Sequence, residues 1–153
     1  MATTPGWVSL LLAGALAYGC STGTTHRFED DRWRFADSVS VEHAITDTSQ
    51  RYRLDLSLSV TDAYRYRNLY IKFRVEAPGG DATTSLPVFL LSDSAGSWRA
   101  RRSWAGTYSF STTLNPSAQF TQPGTYRFWL AQYMREDTLA GVHAVGLKLT
   151  PVR

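Results

Sequence analysis

Tyr52-Arg53-Leu54-Asp55-Leu56-Ser57-Leu58-Ser59-Val60 alternates ring or branched apolar residues with polar ones over nine positions. A period of two is the signature of a half-buried β-strand, because successive side chains leave the pleat on opposite sides. The pattern resumes at Leu69, Ile71, Phe73 and Val75, set against Tyr70, Lys72, Arg74 and Glu76. The two runs are expected to pair antiparallel and to share one apolar face. Burying each such side chain stabilises by roughly 1.5–3 kcal/mol, so this face needs a second sheet to cover it. The loop between them, Thr61–Asn68, is too long for a tight turn and holds Tyr64 and Tyr66 between arginines.

Working outward, the same logic finds further strands. Phe35, Val39 and Val41 lead toward the turn Thr46-Asp47-Thr48-Ser49. Pro78-Gly79-Gly80-Asp81 is a turn, and Leu86–Leu91 is a short strand whose proline marks its start or a sheet edge. Trp98–Trp104 is expected to pair with Thr107–Leu114. Asn115-Pro116 and Gln122-Pro123-Gly124 bracket a loop around Phe120. Tyr126–Ala131 and Val142–Thr150 complete the set. About eight short strands and no amphipathic helix predict an all-β domain: a single antiparallel β-sandwich, jelly-roll-like in arrangement.

The totals agree. The 153 residues suffice for one domain, and 43% hydrophobic content supports a packed core. A formal charge of +3 is too small an excess to argue for nucleic acid as a partner. Basic residues are almost all arginine, Lys72 and Lys148 being the two lysines. Arginine stacks on rings and pairs bidentately with carboxylates.

Trp7–Ala17 is an eleven-residue apolar run, shorter than the roughly 20 residues that span a bilayer and suited to a signal-peptide core. It ends at Ala17-Tyr18-Gly19-Cys20, before the small polar stretch Ser21–Thr25. A cysteine after a small residue in this place resembles a bacterial lipobox, which implies cleavage before Cys20 and its acylation. The expected organisation is a signal peptide at 1–19, a lipidated tether at 20–26 and the sandwich at 27–153. As the chain's one cysteine, Cys20 has no internal disulfide partner.

Motifs for chemistry are scarce. His26, His43 and His143 are far apart and lack zinc-like spacing; no metal or cofactor is expected. There is no phosphate-binding glycine loop and no Gly-x-Ser-x-Gly elbow. Asp47 and Asp93 fall in turns, where aspartate bonds its own backbone, and Asp55 falls on a polar strand face. Two arginine–aromatic clusters stand out: Tyr64-Arg65-Tyr66-Arg67-Asn68, and Trp98 to Trp104 with Arg99, Arg101 and Arg102 between them. They read either as outward arginines packed over neighbouring rings or as a surface for protein or glycan. A third candidate is the polar block after Gln132, with Arg135 and Asp137. It reads as a partner-facing loop, or as one fixed by Arg135 pairing with Asp137 or Asp62.

These blocks carry a resemblance. Tyr64–Leu69, Leu91–Trp98 and Pro123–Phe128, running into Gln132-Tyr133-Met134-Arg135-Glu136-Asp137-Thr138-Leu139-Ala140-Gly141-Val142, are similar in order and spacing to the gliding motility lipoprotein GldH family of the Bacteroidetes. Arg65 stands where the family usually has proline, and Arg99, Arg101 and Arg102 follow Trp98 where glycines are usual. The resemblance implies a non-enzymatic accessory lipoprotein of the gliding and type IX secretion machinery. It also implies a lipid anchor at Cys20 in the cell envelope, in the outer membrane facing the periplasm. Partners would be the membrane and other envelope proteins, contacted through Tyr64, Tyr66, Arg67, Trp98, Trp104, Arg135 and Asp137. The alternative is an envelope glycan-binding module using the same clusters.

Overall fold

The computed structural model describes residues 22–152; the expected signal peptide and Cys20 lie outside them. Two antiparallel sheets pack face to face. One contains β1 (Thr22–Arg27), β11 (Val142–Val152), β4 (Arg51–Thr61) and β8 (Thr107–Gln119), in that order. The other runs β3 (Val39–Ile45), β9 (Gly124–Gln132), β5 (Asn68–Glu76) and β6 (Ala82–Ser85), and β7 (Val88–Leu90) also pairs with β5. A small ladder joins β2 (Arg32–Arg34) to β10 (Thr138–Ala140).

The predicted β-sandwich is therefore the fold, built from more strands than the eight expected. Thr22–His26, expected as tether, instead pairs with β11 from Thr22↔Leu149 to Arg27↔Ala144. The short β2, β6 and β10 carry no long alternation and escape a periodicity reading. Trp98–Trp104, conversely, is not a strand; it touches its neighbours through isolated bridges, Ser92↔Trp98 and Arg102↔Tyr108. Nor does Asn115-Pro116 end a strand. β8 continues through it to Gln119, with register shifts opposite Tyr52–Asp55. An edge strand tolerates proline there because its outer N–H has no ladder bond to lose.

The central correction concerns β4 and β5. They are not hydrogen-bonded neighbours: β4 lies between β11 and β8, β5 between β9 and the β6/β7 edge. The face of β4 did need a second sheet, and β5 belongs to it. Leu54, Leu56, Leu58 and Val60 join Leu69, Ile71 and Phe73 in one core cluster. β11 adds Val145, Leu147 and Leu149 beside Leu58, Leu56 and Leu54. β9 contributes Tyr126, Phe128 and Leu130, all buried as their alternation predicts.

Register gives the sandwich two distinguishable poles. Thr22, Leu149, Leu54 and Asn115 lie in one row across the first sheet; Arg27, Ala144, Ser59 and Ser109 lie in another. The chain thus enters at the pole that also holds the turns at 46–50, 77–81 and 120–123. In the second sheet, Ile45↔Gly124 marks that entry pole and Val39↔Leu130 the far one. Gly79 donates its N–H to the Gln122 side chain (3.2 Å), tying two entry-pole turns together.

Candidate functional site

The far pole gathers the loops 62–67, 91–106 and 133–137, with both arginine–aromatic clusters and the polar block. Sequence separation does not bring them together; strand direction does, because β4, β9 and the β7–β8 connection all turn at the same end.

Loop 62–67 is anchored by Tyr64, which is 3% exposed and belongs to the core. Its hydroxyl donates to the Asn68 carbonyl at 2.8 Å, and burial pushes its pKa well up. Tyr64 was expected at the surface, and this is a correction. The odd–even pattern of a strand does not extend into a loop, so nothing local distinguished an inward ring. Tyr66 stays partly exposed, 71° from the Tyr64 ring plane. Its hydroxyl donates to the Glu136 carboxylate, which bridges loop 62–67 to loop 133–137 and raises the phenol's pKa. The Arg67 guanidinium donates to the Asp93 carbonyl, while the Arg67 carbonyl accepts from Leu91 N–H at 2.8 Å.

The second cluster is built around Asp62. Tyr108 donates its hydroxyl to one Asp62 oxygen at 2.9 Å, and Arg102 pairs with the other at 2.9 Å. Those two contacts hold the Asp62 carboxyl below its usual range. Trp98 stacks on Tyr108 at 4.7 Å, the two ring planes nearly parallel. Here the ring of Trp98 is covered by another ring, not by the outward arginines that the packed reading expected. Trp104 does not share it: at the tip of its turn it is 98% exposed.

The block after Gln132 is divided in role. Gln132 is 1% exposed and folds the loop. Its amide donates to the Glu136 carbonyl, and its side-chain oxygen accepts from Met134 N–H, both at 2.8 Å. Leu139 is buried. Gly141 adopts φ +82°, and a Cβ there would overlap the backbone nitrogen of Tyr64. These residues build the loop, and Tyr133, Arg135, Glu136, Asp137 and Thr138 are exposed on it. The pairing of Arg135 with Asp62 or Asp137 does not occur, since Asp62 is taken by Arg102 and Tyr108. Asp137 contributes its carbonyl, which accepts from Phe35 N–H at 2.8 Å.

Of the residues named from the sequence, the fold therefore places Tyr66, Arg67, Trp104, Arg135 and Asp137 at one pole, with Trp98 half-covered beside them. Sequence reading gave Asp62, Tyr108 and Glu136 no part in these contacts. Asp62 and Tyr108 are 46 residues apart, and Tyr66 and Glu136 are 70 apart, so no local signal links them. Open hollows flank Tyr66; the larger, about 510 Å³, is lined by Arg65, Tyr66, Arg67, Asn68, Leu90 and Ser92. The Asp47 and Asp93 carboxylates accept backbone N–H bonds within their own turns, as expected. Among the described residues, no three His, Cys, Asp or Glu side chains are placed to hold a metal ion.

Comparison with known proteins gives a family match: the model described as GldH lipoprotein matches residues 22–149. Among solved structures, the chain is similar to dimeric latent PorU from Porphyromonas gingivalis, with 6% identity and a TM-score of 0.40. That similarity covers 84% of this chain and 12% of PorU, so the chain spans about an eighth of that protein's length. No curated protein matches the chain.

Proposed function

We infer the role of this molecule from its family, for the chain belongs to the GldH lipoprotein family. It is a gliding-motility-associated lipoprotein of the cell envelope. Within that class it acts without catalysis, as an accessory component of the gliding and type IX secretion machinery. Cys20 carries the acyl chains in the outer membrane, and the fold faces the periplasm. The protein works by holding a contact surface for other envelope proteins.

The observation that supports this reading is the polarity of the fold. β1 begins at Thr22, so one residue, Ser21, and a reach of about 7 Å at most separate an acylated Cys20 from the entry pole. Eleven residues of β11 at roughly 3.3 Å each place the far pole about 35 Å further out. Arg65, Tyr66, Trp104, Arg135 and Asp137 all project from that outer end. A glycan platform would need exposed, coplanar rings, whereas Tyr64 is buried and Tyr66 is steeply inclined to it. Mixed charge around an exposed tryptophan suits a protein partner.

The test is the pair Trp104→Ala and Arg135→Ala in the full lipidated chain, cross-linked in native envelopes with partners identified by mass spectrometry. Stability should change by less than about 0.5 kcal/mol, as for other surface substitutions, while the cross-linked partners fall several-fold. Normal partner capture by both variants would overturn the far pole as the contact surface.

A further inference from the structure

Exposed strand edges invite pairing with other chains, and proteins guard them by shortness, charge or proline. Most edges here are guarded. β6 is four residues long, and β7 is three, with Pro87 before it. β1 ends on His26 and Arg27, and β3 carries Glu42, paired to Arg127 at 2.8 Å.

β8 is the exception. Its thirteen residues, TYSFSTTLNPSAQ, include no charge, and none of them is buried. The turn before it covers its start, through the Arg102↔Tyr108 bridge and the 2.8 Å bond from Ser103 N–H to the Thr107 carbonyl. The irregularity at Asn115-Pro116 closes its other end. Between them, Ser109–Leu114 has no strand partner on its outer side among the described residues. The inward row of Tyr108, Phe110, Leu114 and Ala118 packs against the core yet stays half-covered. Beyond Thr113, a cavity of about 740 Å³ opens between β8 and β6 over Leu54, Phe73 and Phe120; β8 lines it with Leu114, Asn115, Ala118 and Gln119, and Asp81 is the one charged residue in its lining.

We propose that the β8 edge at Ser109–Leu114 accepts an extended strand from a partner protein, apolar at alternate positions, that runs on past Leu114 so that its end side chains enter this cavity. Backbone bonds along Ser109–Leu114 would supply affinity, and the cavity at the Leu114 end would select the side chains that enter it. An uncharged edge leading to a largely apolar cavity favours such a segment over a charged one. A second copy fits less well. Two identical edges joined antiparallel about a two-fold axis run in opposite directions, which lifts one entry pole roughly 35 Å off the membrane. The leash from Cys20 through Ser21 to Thr22 reaches about 7 Å. This exclusion rests on the Cys20 anchor proposed above; the edge itself does not.

The experiment uses the full lipidated chain in phosphatidylethanolamine–phosphatidylglycerol nanodiscs and a labelled, capped octapeptide alternating valine and threonine. Saturable binding is expected, with exchange of the Ser109–Leu114 amides slowed at least tenfold. Ser111→Lys, on the exposed face, should weaken binding at least tenfold and leave the melting temperature unchanged. A copy of the peptide with two central prolines should not bind. No saturable binding, equal binding of the proline copy, or protection outside β8 overturns the proposal. So does displacement by palmitate alone, which would mark an acyl-chain cavity. A concentration-dependent dimer abolished by Ser111→Lys overturns it in favour of self-pairing. Repeating the titration with the Cys20→Ser chain in detergent reads the edge independently of the anchor.

Discussion

Gly141 shows how much one position of the Gln132–Gly141 block is asked to do. Its carbonyl accepts from Thr61 N–H and its own N–H donates to the Asp31 carbonyl, both at 2.8 Å. Its φ of +82° leaves room for the Tyr64 backbone where a side chain would stand. Left-handed backbone costs a non-glycine residue about 1–2 kcal/mol, and overpacking adds about 1–3 kcal/mol. Gly141→Ala is therefore expected to lower stability by about 2–5 kcal/mol in urea unfolding. An unchanged midpoint would mean that loop 62–67 does not rest on this residue. The same crowding explains why Tyr64 is inside: the loop must lie against Gly141, and its first ring has nowhere to go but the core.

At the scale of elements, the segment 98–106 is held without a ladder, and Asp62 is its clasp. The carboxyl lies below its ordinary value of 3.8 mainly because Tyr108 donates to it, and secondarily because Arg102 does. A folded pKa below the unfolded one means that the contribution is present above about pH 3.8. It is lost as pH falls through the folded value. Carboxyl titration by NMR should accordingly show Asp62 moving up toward 3.8 in Tyr108→Phe, and by less in Arg102→Ala. A larger rise in Arg102→Ala would make the ion pair, not the phenol, the dominant contact. On lowering pH, segment 98–106 should loosen as Asp62 protonates, while the core packing of Leu56, Leu58 and Phe128, which involves no titrating group, persists.

For the molecule as a whole, the proposed role rests on orientation, with the proposed acyl chains at one pole and the proposed contact residues at the other. Acyl chains contribute about 0.8 kcal/mol per buried CH₂, and among the described residues no helix is long and apolar enough to cross a membrane. Cys20→Ser should move the protein out of the detergent phase in two-phase partitioning; unchanged partitioning would remove the anchor and the outward-facing pole with it. Much of this design was legible in the sequence. The alternation of Tyr52–Val60, Leu69–Val75 and Tyr126–Leu130 determined strands, inward faces and an all-β class, because the pleat sends side chains to alternate sides within a single segment. The turn roles of Asp47 and Asp93 were local too. Tertiary structure alone decided which strands are neighbours, setting β4 and β5 in opposite sheets although they follow each other in the chain. It also drew Asp62 to Tyr108 and Tyr66 to Glu136, and left the β8 edge open. The reason is that sheet hydrogen bonds run between backbone groups common to every residue. Side-chain pattern tells a strand which face to bury, but only the packing of both sheets together selects the edge it pairs with.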